Sequence, residues 1–164
     1  MSEAVKELEE LYRAHGPALL IYLRGQAGQP GVAEDLLQET FLQAIRCIGR
    51  MDDVVSPRAW LFAIARNMTI SAWRRRRKTS TLPDEIATAA PVYEDARRET
   101  MRQAIAALPE KLRETLKLKL RDDLSYEEIA AVLGIPVGTV RSRLHNAVQQ
   151  LRETLGPKED SHET

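Results

Sequence analysis

Cysteine is nearly missing from this chain: Cys47 stands alone among 164 residues. That excludes an internal disulfide framework and a multi-cysteine zinc site, and fits a reducing compartment. The lone thiol reads as a small helix-packing residue. The three histidines, His15, His145 and His162, lack metal-ligand spacing, and neither an HExxH motif nor a glycine-rich phosphate loop is present. Cys47 also has no base partner legible in the sequence, so the expectation is no enzyme, no catalytic residue, no metal and no cofactor. No apolar run approaches the length needed to cross a bilayer, and residues 1–16 lack the basic start and apolar core of a leader. The expected location is therefore cytoplasmic, without membrane insertion.

Net charge is absent too, since 24 basic residues balance 24 acidic ones. The zero conceals segregation. Residues 58–78 carry Arg58, Arg66, Arg74, Arg75, Arg76, Arg77 and Lys78 with no acid, whereas residues 34–53 carry Glu34, Asp35, Glu39, Asp52 and Asp53 against Arg46 and Arg50. One surface suits polyanions and another a basic partner.

What the chain has in quantity is helical periodicity, and it is densest over residues 124–153, LSYEEIAAVLGIPVGTVRSRLHNAVQQLRE. Ser125 with Glu128 forms a capping box, so a helix starts near Tyr126. Ile129, Ala130 and Leu133 share its inner face, and Gly134 supplies a helix C-terminus. Pro136 sits at the start of the next helix, whose buried stripe is Val140, Leu144, Ala147 and Leu151. This is a helix-turn-helix pattern. The opposite side of the second helix holds Gly138, Ser142, His145, Asn146 and Gln149, flanked by Thr139, Arg141 and Arg143, the groups that reach base edges and phosphates in a major groove. The competing reading is a helical hairpin with a merely solvated face; the capping box, turn and basic helix start together favour DNA.

Elsewhere the spacing predicts a helix over residues 2–24 with a kink or break at Gly16-Pro17, then a loop over residues 25–31. A second helix is expected over residues 32–48 with Leu37, Phe41, Ala44, Ile45 and Ile48 inside and Asp35, Gln38, Glu39 and Leu42 outside; a solvated face is the competing reading of its polar residues. Residues 49–57 read as an irregular loop. Ser56-Pro57 opens a third helix whose core stripe is Leu61, Ile64, Ala65, Met68 and Ala72. A different face gathers Phe62, Arg66, Thr69 and Trp73 and runs into the arginine cluster. Such a row suits single-stranded DNA, yet packing of Phe62 and Trp73 against the first helix is the favoured reading of the two aromatics, and polyanion binding that of the arginines. Residues 79–91 have linker composition. Helix resumes near Tyr93 through Met101, Ile105 and Leu108, and another begins at Pro109-Glu110 with Leu112, Leu116 and Leu120 inside. The expected fold is all-α: a helical module at 1–78, a flexible linker at 79–92, a helix-turn-helix module at 93–156 and a polar tail at 157–164.

These modules, their order and their motifs resemble the extracytoplasmic-function group of bacterial RNA polymerase sigma factors, over about nine-tenths of the chain. AEDLLQETFLQAIR at residues 33–46 is similar to their core-polymerase-binding helix, SPRAWLFAIARNMTISAWRRRRK at 56–78 to their minus-10 segment, and residues 108–153 to their minus-35 domain. The resemblance implies that Asp35, Leu36, Gln38, Glu39 and Leu42 meet the clamp helices of the largest polymerase subunit. It implies that Met51, Asp52, Asp53, Val54, Val55 and Asn67 receive an unstacked minus-10 base, while Arg66, Arg74, Arg75, Arg76 and Arg77 hold that strand's backbone. Thr139, Arg141, Ser142, Arg143, His145 and Asn146 would dock at the minus-35 duplex. The implied partners are core RNA polymerase, through its clamp helices and flap, promoter DNA in duplex and single-stranded form, and an anti-sigma factor. Ser71 departs from the pattern, standing where members usually carry an aspartate. The rival expectation is a helix-turn-helix repressor or activator that acts without core polymerase; it explains residues 124–153 and leaves the acidic helix without a role.

Overall fold

The computed structural model describes residues 2–27, 29, 31–79 and 96–156. Among them the chain is all-α, with no strand. Among the described residues two compact units are distinguished, one holding residues 2–79 together with 131–134 and the other residues 96–130 and 135–156. The linker expected at 79–92 lies, apart from Thr79, outside the described residues, as do Tyr93 and the tail at 157–164.

The first unit is a bundle of three mutually packed helices. Helix α1 runs Glu3–Ala27 without interruption, so Gly16-Pro17 does not break it, and Gly25 lies in the helix instead of a loop. Proline removes one intrahelical donor, but Leu8 and Leu11 before it and Leu19, Tyr22 and Leu23 after it are all buried, and their burial outweighs one lost bond. Helix α2 spans Val32–Cys47 and begins after Gly31, whose φ of 86° is a left-handed conformation that glycine takes without a side-chain penalty. Its buried arc is Ala33, Leu36, Leu37, Thr40, Phe41 and Ala44. Ile45, expected inside, is 48% exposed. At 3.6 residues per turn it lies roughly 100° from the centre of that arc. Thr40 is accommodated in the interior because its Oγ1 donates to the Leu36 carbonyl at 2.6 Å.

Residues expected as a loop instead continue as a 3₁₀ helix, Ile48–Asp53, closed by a bond from the Val54 N–H to the Met51 carbonyl. Helix α3, Pro57–Thr79, starts as the sequence indicates: the Ala59 N–H donates to Ser56 Oγ at 3.0 Å and Pro57 occupies the first turn. Its core is Ala59, Leu61, Phe62, Ala65 and Thr69, with Ile64, Met68 and Ala72 only half-buried. Phe62 meets Tyr22 of α1 at 5.2 Å between ring centroids, and Tyr12 of α1 meets Phe41 of α2 at 4.9 Å, edge to face. These two pairs join α1 to both of its neighbours.

In the second unit α4 (Ala96–Ala106) and α5 (Glu110–Leu120) pack on α7 (Val137–Leu155), with α6 (Tyr126–Leu133) between them in sequence. Pro109 caps α5 in an extended conformation, φ −52° and ψ 144°, one residue ahead of its first turn. Leu120, expected inside, is 68% exposed, and Met101 of α4 is 43% exposed. Ala104 and Leu108 take the inner role after α4 begins, and Thr115, Leu116 and Leu118 do so in α5. A four-residue step advances about 40° around a 3.6-residue helix, so two steps from Leu112 carry Leu120 off the buried face.

Candidate protein and nucleic-acid interfaces

On α2, Asp35, Gln38, Glu39 and Leu42 all face solvent along one side, Leu42 at 55% exposure. The spacing of three and four residues stacks them over successive turns. Leu36, expected beside them, is 4% exposed and faces the interior, so it packs beneath the acidic face and presents no contact surface. Ile45 joins the face in its place: an apolar patch of Leu42 and Ile45 continues directly from the carboxylates. Sequence reasoning missed Ile45 because its spacing from Phe41 also satisfies a core stripe. At the start of α2, Glu34 pairs with Arg24 of α1 at 3.0 Å, and this hydrogen bond holds the Glu34 carboxyl below its ordinary range.

The second group is divided by the fold. Val55 is 58% exposed and Asn67 is exposed, while Met51, Val54 and Arg66 are half-buried. The side chains of Asp52 and Asp53 lie outside the described set. Arg74, Arg75 and Arg77 project from the last turns of α3, and Arg76 donates to Gln29 Oε1 at 2.9 Å. The row of Phe62, Arg66, Thr69 and Trp73 does not survive as a stacking platform. Phe62 is fully buried, and Thr69 is 3% exposed with its hydroxyl turned back to the Ala65 carbonyl. The favoured packing of Phe62 against the first helix is what the structure contains, and Trp73 is half-buried.

The third group sits on a motif built as its sequence indicates. The Glu128 N–H donates to Ser125 Oγ at 3.1 Å and the Ser125 N–H to Glu128 Oε1 at 3.0 Å, a complete capping box at the start of α6. Gly134 ends that helix at φ 67°, and the Ile135 N–H returns to the Ala130 carbonyl, the six-to-one bond of a Schellman turn. Helix α7 follows from Pro136 at φ −65°. It buries Val140, Leu144 and Ala147, with Leu151 half-buried, and exposes Gly138, Arg141, Ser142, His145, Asn146 and Gln149 in a band free of acids; Thr139 and Arg143 flank it, half-buried.

The connector ahead of this motif was not read from the sequence in any detail. Asp122 is 8% exposed and takes two hydrogen bonds from Arg121, at 3.3 and 3.1 Å. Burial pushes its carboxyl above the ordinary range, and Arg121 only partly offsets this. Asp123 adopts φ 54°, and the Leu124 N–H returns to the Leu118 carbonyl at 3.1 Å. Lys119 and Tyr126 were missed as well: Lys119 Nζ lies 5.3 Å from the centre of the Tyr126 ring, and the Arg141 guanidinium 5.9 Å from the same ring. The one signal for them was a lysine alternating with leucines in LKLKL, which helical periodicity alone leaves on no particular face.

A chain whose described residues are all helical, with an exposed acidic helix face and a helix-turn-helix opened by a capping box, falls in the class of helix-turn-helix transcription proteins. The sigma-70 region 2 family matches residues 11–79 and the sigma-70 region 4 family residues 98–151. The RNA polymerase sigma factor CarQ of Myxococcus xanthus is 33% identical over 92% of this chain and 90% of its own length. The ECF RNA polymerase sigma factor SigE of Mycolicibacterium smegmatis is 33% identical over 93% of this chain, which spans 63% of that longer protein. Among solved structures, the sigma factor RpoE of Bartonella quintana, crystallised with the anti-sigma factor NepR, superposes with a TM-score of 0.72 at 27% identity, over 93% of this chain and 99% of that one. The chain belongs to the extracytoplasmic-function group of RNA polymerase sigma factors. Among the described residues no helix is long and apolar enough to cross a membrane.

Proposed function

We propose that this chain binds core RNA polymerase through α2, reads a minus-35 duplex with α7 and captures minus-10 bases beside α3, thereby promoting promoter melting. Exposure of two chemically opposite surfaces on one chain, an acidic and apolar face on α2 and an acid-free polar band on α7, supports this reading above all. Asp35, Gln38, Glu39, Leu42 and Ile45 form the polymerase-facing patch. Thr139, Arg141, Ser142, Arg143, His145 and Asn146 meet the major groove, where phosphate contacts position the helix and base contacts give it specificity.

At the minus-10 element, Met51, Asp52, Asp53, Val54, Val55 and Asn67 border the pocket for a displaced base, and Arg66 with Arg74 to Arg77 follows the single-stranded backbone. Burial of Phe62 removes that ring from the capture, which falls to the 3₁₀ helix and the residues after it. Binding energy spent on unstacked bases favours open DNA over closed. Polymerase and its magnesium carry out the chemistry, and the chain itself performs none. It works in the cytoplasm, as two modules at 1–78 and 93–156 joined by a flexible linker. An anti-sigma partner belongs to the same reading, supported by the complex of the similar RpoE with NepR.

Abortive transcription with bacterial core polymerase, on promoter fragments from the source genome, tests this directly. Initiation at defined sites only when the protein is added is the expected result. Retention of duplex DNA without any binding to core polymerase instead establishes a helix-turn-helix repressor or activator.

A further inference from the structure

Three helices bring their side chains together at the Tyr126 ring. Lys119 comes from the end of α5 and Arg141 from the second turn of α7, each within cation–π range of the tyrosine that opens α6. Lys119 is held further by donating to the Leu124 carbonyl at 3.2 Å. Among the described residues neither cation forms an ion pair with a carboxylate. The nearby acids are otherwise engaged: Asp122 with Arg121, and Glu128 with the capping box. Glu127 points to solvent on α6. Two like charges near one ring raise the local positive potential, which favours an anion there. The start of α7, one turn before Arg141, adds the positive end of a helix.

We propose that Lys119 and Arg141 form a two-cation seat for one backbone phosphate of duplex DNA, and that Tyr126 is the positioning residue that aligns them through its ring face. The inference rests on the reading of α7 as the duplex-binding helix and adds Lys119 and Tyr126 to it. Arg141 then acts on the backbone, fixing the register of α7, and base reading falls to Ser142, Arg143, His145 and Asn146.

The test is a salt titration of the full chain on a labelled random-sequence duplex, followed by fluorescence anisotropy, because phosphate contacts set the slope of log affinity against log salt. Lys119→Ala is expected to weaken binding about fivefold and to lower the slope by about one. Tyr126→Leu should match Lys119→Ala in both respects, and Tyr126→Phe, which keeps the ring, should restore the wild-type slope. Circular dichroism confirms that each variant is folded. A wild-type slope for folded Tyr126→Leu overturns the positioning role, and a loss in Tyr126→Phe assigns the contact to the hydroxyl and overturns it too. The wild-type titration separates this proposal from the reading beneath it. If the wild type binds duplex in a salt-dependent way and folded Lys119→Ala and Tyr126→Leu keep its affinity and slope, the phosphate seat alone fails; if the wild type shows no salt-dependent duplex binding, the duplex reading itself fails.

Discussion

Single residues shape the ends of α6 and the connector ahead of it. Gly134 holds φ 67° in open space, so Gly134→Ala meets no steric neighbour and suffers only the left-handed backbone penalty, about 1 kcal/mol. Glu128→Ala removes half of the capping box and leaves the Ser125 N–H without its side-chain acceptor, a loss of about 1 kcal/mol. Urea unfolding should place both variants below the wild type by similar amounts, with unchanged m values. Asp122 acts through pH. Its folded-state carboxyl titrates above the ordinary 3.8, so the folded chain binds this proton more tightly than the unfolded chain. Stability from this group is therefore greatest below that ordinary value and is lost as pH rises through the folded one. Asp122→Asn has no such proton to lose, so its stability relative to wild type should climb with pH across the acid range; urea midpoints measured from pH 3 upward by about four units check it. A relative stability that stays flat would mean that Asp122 is ionised without penalty.

Elements differ in how plainly the sequence declares them. The start of α3 at Ser56-Pro57, the capping box of α6 and the Gly134 stop are legible because each is a local bond between a side chain or a special backbone and a helix end. Less legible are features decided by distant packing. Gly16-Pro17 looks like a break until the buried Leu19, Tyr22 and Leu23 hold the helix together beyond it. The 3₁₀ helix at Ile48–Asp53 has no periodicity long enough to detect. Phe62 carries the same label as core residue or stacking platform until Tyr22 is found against it. The exposure of the α7 band follows its sequence pattern, and so does that of the α2 face, except that Leu36 is buried and Ile45 exposed. That exchange is testable. Leu36→Ala should cost about 3 kcal/mol of stability as a buried truncation, whereas Ile45→Ala should leave stability nearly unchanged and weaken binding to core polymerase. Thermal melts and a pull-down with core polymerase separate the two; an unaffected pull-down for Ile45→Ala would return the contact to the carboxylates and Leu42 alone.

At the scale of the whole molecule, charge segregation explains how a chain with no net charge can serve a polyanion and a basic protein surface at once. The acids of α2 and the cations of α3 and α7 lie on separate helices, and screening over ~8 Å in physiological salt keeps the potential of exposed charges local. Division of labour should then be visible in paired variants. Arg141→Ala is expected to weaken binding to minus-35 duplex by about tenfold with core-polymerase binding intact. Asp35→Ala with Glu39→Ala should do the reverse, since both carboxylates are exposed on α2 and neither belongs to the α7 band. Anisotropy on the duplex and co-purification with core polymerase give the two readouts for each variant. Abortive transcription should fail in both, for different reasons: high concentrations of the acidic-face variant restore initiation by mass action on the polymerase, whereas the Arg141 variant recovers only when salt is lowered. Equal loss of both binding activities in either variant would mean that the two surfaces are not independent, and that a single one carries the whole of the assembly.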